Sequence, residues 1–177
     1  ISGDLFRHGI SLGNYRIVEA KKGEYLLVVH NKEKGGWTNL GRTDNKKRLN
    51  TLANILRRYL LELNRECETV YVLEPVLVRK TEPFRLLIVL PMWTFRFHSP
   101  RFREMCRELL RSIIPTHLAG RIYWMDEISM QGFEHCYKLL MRALTNNDLA
   151  DYSAQLLEVI YELLGKAVEI QILDDTN

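Results

Sequence analysis

Residues 84–91 read FRLLIVLP, a near-continuous apolar run closed by a proline. A run of that length with no polar alternation suits a strand buried on both faces, at the centre of a sheet covered by helices. This requirement shapes the rest of the reading, because the neighbouring segments must supply those cover layers.

Downstream, Ser99 and Pro100 mark a helix start, with a Ser N-cap and Pro in the first position. Phe102, Met105, Cys106, Leu109, Leu110 and Ile113 then recur at helical spacing as one apolar stripe, and Pro115 stops the helix. Residues 117–125, HLAGRIYWM, read as another strand. Asp126 can cap the next helix, whose inner face carries Met130, Phe133, Tyr137, Leu140 and Leu144. TNND breaks it, and a last helix over 151–164 carries Tyr152, Leu156, Val159, Ile160 and Leu163. Gly165 ends that helix, AVEIQIL is a closing strand, and DDTN is a polar tail. The order β-α-β-α-α-β predicts a layer of helices on a small sheet.

Upstream, residues 14–20 and 24–30 are two β-rich runs joined by Lys21-Lys22-Gly23, which predicts a hairpin. Gly35 and Gly36 loosen a second turn before a short third strand over 37–40. A helix capped near Thr43 or Asp44 follows, with Leu49, Leu52, Leu56, Tyr59, Leu60 and Leu63 on one face. The segment 70–80 is extended but interrupted by Pro75, which belongs at an edge or bend. The fold class is therefore α+β. A small antiparallel meander plus helix (1–69) precedes an α+β docking domain (70–177), with the boundary near 70–83 and a joint at Thr81-Glu82-Pro83.

The 177 residues suit one domain or two small ones, and no apolar run approaches the ~20 residues a membrane span needs. The formal charge of +3 does not by itself imply nucleic acid. Its distribution is uneven: residues 79–111 hold eight Lys or Arg against three Glu, and residues 145–177 hold seven acids against one Lys. Such polarity suits docking between unlike surfaces, or two ordinary solvated faces. Three cysteines, Cys67, Cys106 and Cys136, form no CxxC pair, which suggests reduced thiols made in a cytosol. The chain begins at Ile1 rather than Met, so we expect a piece of a longer protein.

The stretch LPMWTFRFHSPRFREM (90–105) interleaves aromatics with arginines. Trp93, Phe95 and Phe97 alternate, so in an extended segment they share one face, with Arg96 and His98 on the other. Arg103, Arg107 and Arg111 form the exposed row of the following helix, partly neutralised by Glu104 and Glu108. Three readings stand: a flap covering the core, a protein-docking edge, or a nucleic-acid site over 93–111. The candidate interaction residues are Trp93, Phe95, Arg96, Phe97, Arg103, Arg107 and Arg111.

Catalytic patterns are not apparent. There is no phosphate-cradling GKS or GKT, no HExxH and no GxSxG. His98, His117, His135, Cys106 and Cys136 are available for a metal, but His135 and Cys136 are helix neighbours pointing about 100° apart. Glu66 and Glu68 read as solvated, and Glu74 as an inward or edge carboxylate needing Arg79 or Arg85. We expect no catalytic site, cofactor or metal.

Three stretches, LNRECETVYVLEPVLVRK, residues 84–126, and FEHCYKLLMRAL with the last helix and VEIQILDD, together resemble a known family. They are similar to the C-terminal region of a baseplate wedge protein of phage-tail-like contractile injection systems, of the kind found in Bacteroidetes and related bacteria. The similarity spans roughly residues 60–175. It rests on Leu90, Pro91 and Trp93 at the end of the apolar strand, Arg96-Phe97, and Phe102-Arg103. It continues with Pro115-Thr116-His117, Trp124-Met125-Asp126, and Phe133, Glu134 and Tyr137. Thr116 replaces the family's Ala, and Glu74-Pro75 and Arg79-Lys80 replace its Glu-His and Arg-Pro. The resemblance implies a structural, non-enzymatic baseplate component, made in the cytoplasm and assembled into a tail-like particle. Its partners would be other wedge, sheath or hub proteins and copies of itself, with nucleic-acid binding the alternative.

Overall fold

The computed structural model describes residues 3–31, 35–78, 84–146 and 150–171. The chain divides into two compact units, Ile1–Cys67 and Glu68–Asn177.

The first unit is a meander of β1 (Tyr15–Lys21), β2 (Glu24–Asn31) and β3 (Gly36–Thr43), in the order β1-β2-β3 with antiparallel pairing. Gly23 takes φ +80° in the first turn, where a Cβ would be strained. A bulge in β3 sets Leu27 opposite Gly41 but Val28 opposite Asn39, so Leu40 is the extra residue; it packs beside Leu27. The helix α2 (Lys46–Cys67) lies on that face, burying Leu49 and Ala53 against Leu27. Its cap is Asn45 rather than Thr43 or Asp44: the Asn45 Oδ1 accepts from the amides of Lys47 (3.0 Å) and Arg48 (3.3 Å).

The inward stripe of α2 also differs from expectation. Leu60 is buried as expected, but Leu52 and Tyr59 are exposed and Asn64, outside the expected stripe, is buried. Asn64 is tolerated there because its Nδ2 donates to the Phe6 carbonyl at 2.9 Å. Phe6 belongs to a short helix, α1 (Gly3–His8), which the sequence reading did not anticipate. Gly9 follows, where a Cβ would sit 2.6 Å from the Leu5 carbonyl oxygen as well as 2.4 Å from Leu60 Cδ1, and the backbone clash excludes a larger residue without a shift of the chain.

The second unit is a four-stranded mixed sheet in the order β4-β5-β6-β7. Its strands are β4 (Tyr71–Leu73), β5 (Arg85–Pro91), β6 (Ala119–Met125) and β7 (Val168–Gln171). β5 and β6 are parallel and central; β4 and β7 pair antiparallel at the two edges. The apolar run is thus a central strand, as its composition requires. It starts at Arg85, because Phe84 turns to φ +64°, although the Phe84 carbonyl still accepts from the Ala119 amide at 2.7 Å. Pro75 opens a 3-10 turn, Pro75–Leu77, and Glu74 is exposed rather than inward.

The helices α3 (Pro100–Ile113), α4 (Glu127–Asn146) and α5 (Ala150–Leu164) cover the sheet unequally. Leu87, Val89, Tyr123 and Met125 pack with Phe133, Leu140, Leu157 and Ile160 of α4 and α5. Alternate residues Ile88, Leu90, Ile122 and Trp124 face the other way, onto α3 and the Phe97 of the loop before it. Period-2 alternation along two buried strands therefore builds both layers. The Asp126 carboxylate caps α4, accepting from the amides of Ile128 and Ser129 at 3.0 Å each. The expected break at TNND and the DDTN tail fall partly or wholly outside the described residues.

Candidate protein-docking site

The aromatic-basic stretch is not extended. Between Pro91 and Pro100 the chain folds into consecutive turns, fixed by amide bonds from His98 to Thr94 O (2.9 Å) and from Ser99 to Arg96 O (3.0 Å). A chain leaving a central strand must reverse quickly to start a crossover helix, and turns break the alternation that would place three rings together. Phe97 is buried against Trp124 (centroids 5.8 Å) and Phe102 (5.4 Å), Trp93 is half-buried, and Phe95 points outward. The expected shared face of Trp93, Phe95 and Phe97 is not formed.

The arginines are largely committed inside the unit. The Arg103 Nε donates to the Phe97 carbonyl at 2.6 Å and an Nη to His98 O at 3.2 Å, clamping the loop to the helix start. Its guanidinium lies 5.4 Å from the Trp124 ring centroid, and burial pulls its pKa below the ordinary value, although arginine stays cationic. The Arg96 guanidinium bonds the Glu68 carboxylate, which holds its pKa above the ordinary value, and lies over the Phe102 ring at 5.8 Å. Glu68, read as solvated, keeps a side chain only 4% exposed. An Arg107 Nη reaches Glu104 at 2.5 Å, as the i,i+3 spacing predicts. Arg107 is half-buried and Arg111 exposed. The expected exposed row of three arginines is therefore reduced to Arg111.

In its place stands an apolar row. Half of the α3 stripe, Phe102, Cys106 and Leu110, packs against the sheet. The other half, Met105, Leu109 and Ile113, is 56%, 59% and 64% exposed. No residue of α3 is fully buried. The same sheet face leaves Val72 on β4 and Val168 on β7 exposed, for each pairs with a residue pointing to the α3 side. Arg101, Glu104, Glu108 and Arg111 edge the row with both signs of charge. An apolar patch rimmed by mixed charge is the pattern of a protein-docking surface. Met105, Leu109 and Ile113 were read from the sequence as one apolar stripe with Phe102, Cys106 and Leu110. The signal that could have separated them was topological: one crossover helix cannot cover a four-stranded sheet, nor can one sheet cover so wide a stripe.

Among the described residues no three His, Cys, Asp or Glu side chains stand close enough to hold a metal ion. Burial raises the Cys106 and Cys136 thiols, which disfavours the reactive thiolate at both. No helix among the described residues is long and apolar enough to cross a membrane. No protein-family model matches the chain, and no curated protein matches it.

Proposed function

We propose that this chain is a structural, non-catalytic component of a contractile-injection-system (phage-tail-like) baseplate, acting through protein–protein contacts. The observation that carries the contact part is the half-covered α3 layer: Met105, Leu109 and Ile113 stand out from an amphipathic helix beside the bare edges Val72 and Val168. Covering half-exposed side chains of this size yields on the order of 1 kcal/mol each. The resemblance of residues 60–175 to a wedge protein supports the assembly named. In this reading the chain is made in the cytoplasm and joins wedge, sheath or hub proteins in a tail-like particle.

Nucleic acid at 93–111 gains less support. Arg96 and Arg103 are spent on Glu68 and on loop carbonyls, and Phe97 is not available for stacking.

The test is a pull-down of the full-length protein from nuclease-treated native lysate, with mass spectrometry of the retained proteins. Sheath, tube and wedge proteins in fixed ratio are expected. Retention of no tail protein would overturn the baseplate assignment.

A further inference from the structure

The first unit carries a second surface, unrelated to the α3 layer. β1 is an edge of its sheet, so one side of its backbone has no neighbouring strand among the described residues. Beside that edge lies an open groove of about 370 Å³ between β1 and α2. Leu12, Tyr15 and Ile17 supply apolar lining above the buried Leu27 and Ala53, and Lys46, Asn50 and Asn54 stand along the helix at i, i+4, i+8. That row spans about 12 Å, close to the reach of four residues of strand.

Exposed edges are usually blunted by bulges, lysines or cover. Here the irregularity is confined to the far end, between Glu19 and Lys21, where Lys21 and Lys22 also stand. The half next to the groove, Tyr15 to Val18, keeps regular register with β2. The Tyr15 hydroxyl donates to Gly9 O at 2.6 Å, which holds the start of the strand in place. A regular, bare edge beside an apolar trough is the arrangement that receives an added strand.

Charge narrows the occupant. The groove lining includes Arg16 and Lys46 and no carboxylate. The Arg16 guanidinium lies over the Trp37 ring, 4.8 Å from its centroid, on the sheet face away from α2. A strand added along β1 would alternate its side chains between the two faces. One set would enter the trough over Ile17, Leu27 and Ala53. The other would meet Arg16.

We propose that the groove between β1 and α2 takes an extended peptide from a partner protein, as a fourth strand of the sheet. Its side chains alternate between apolar residues seated in the trough and acidic residues facing Arg16. The backbone edge asks for amide and carbonyl groups at strand spacing, which a peptide has and a nucleic acid lacks. This inference concerns a different unit from the α3 layer and does not depend on the baseplate reading.

The probe is a library of displayed random decapeptides selected on the intact 177-residue chain, with the most enriched peptide synthesised and labelled. Enriched sequences should alternate apolar and acidic residues. Fluorescence anisotropy should show Kd weakened by at least ~10-fold in Arg16→Glu, a change at an exposed position that reverses the charge the acidic side chains meet, and in Asn50→Trp, which plugs the trough. Two backbone variants of the peptide, N-methylated at odd or at even positions, decide the binding mode on the unaltered protein. Strand addition uses amides on one edge only, so one variant should lose binding and the other keep it. In the complex, amide exchange should slow in Tyr15 to Val18. Enrichment of no peptide, equal binding by both N-methylated variants, or equal competition by a single-stranded oligonucleotide of the same charge would each overturn the proposal.

Discussion

On one face of the β4–β7 sheet, Leu87, Val89, Tyr123 and Met125 lie under two helices; on the other, Ile88, Leu90, Ile122 and Trp124 lie under one. The strands are equally apolar on both sides. The helices differ in what they bury: α4 contributes the fully enclosed Phe133 and Leu140, whereas α3 contributes no fully buried residue despite its wide apolar stripe. One face is finished within the chain. The other is finished only beneath its helix, and its margins stay open. Substitutions on the finished face should therefore act on folding, and those on the margins of the other face on association.

The largest expected effect is Phe133→Ala. Phe133 is fully buried and contacts the rings of Tyr71 at 5.4 Å and Tyr137 at 5.7 Å. Its loss should cost about 3–5 kcal/mol of stability in urea unfolding. A cost below about 1 kcal/mol would mean that this face is not the better packed.

Arg103→Ala tests the loop that feeds the other face. It removes both bonds to the carbonyls of Phe97 and His98, and should cost about 1–3 kcal/mol. Arg103→Lys should recover only part of this, because one ammonium cannot reproduce the guanidinium fork over Trp124. Full recovery by lysine would show that charge alone, not the clamp, matters there.

The sequence carried the frame of both units for physical reasons. Residues 85–91 are too apolar to face water, Asp126 caps α4, and Pro100 opens α3 with Ser99 at the cap position, where its backbone but not its side chain serves the helix end. It did not carry coverage. Periodicity shows that Met105, Leu109 and Ile113 share a side with Phe102 and Cys106, but not where the sheet beneath them ends. The turns over 92–99 were hidden because Trp93, Phe95 and Phe97 mimic strand alternation, and their reversal is set by where α3 must begin. Asn64 escaped notice as an inward residue because its partner lies on α1, a helix too short to show a period.

Asp126→Ala removes the α4 cap on the finished face and should cost about 1 kcal/mol. Amide and hydroxyl bonds from Ser129 hold the Asp126 carboxyl below its usual range. With the folded pKa below the unfolded one, its contribution is fully present above the unfolded value near ~3.9. It is lost as pH falls through the lowered folded value. Asp126→Asn should keep the cap at neutral pH and flatten this acid limb of the stability profile. An unchanged acid limb in Asp126→Asn would remove Asp126 as its source.

The smallest effect on folding should come from the open margin. Met105→Gln, Leu109→Gln and Ile113→Gln keep helix propensity close to that of the native residues and add no buried polar group, because all three side chains already meet solvent. Each should change stability by no more than about 0.5 kcal/mol. Combined in one triple variant, they should abolish the association proposed for this face in the pull-down, since they remove its apolar centre while leaving the charged rim of Arg101, Glu104, Glu108 and Arg111 in place. A variant that unfolds readily would show α3 to be core after all. A variant that folds and still retains every partner would show that the open face is not where they dock. Only the separation of the two readouts, intact folding with lost association, fits a layer whose cover comes from another protein.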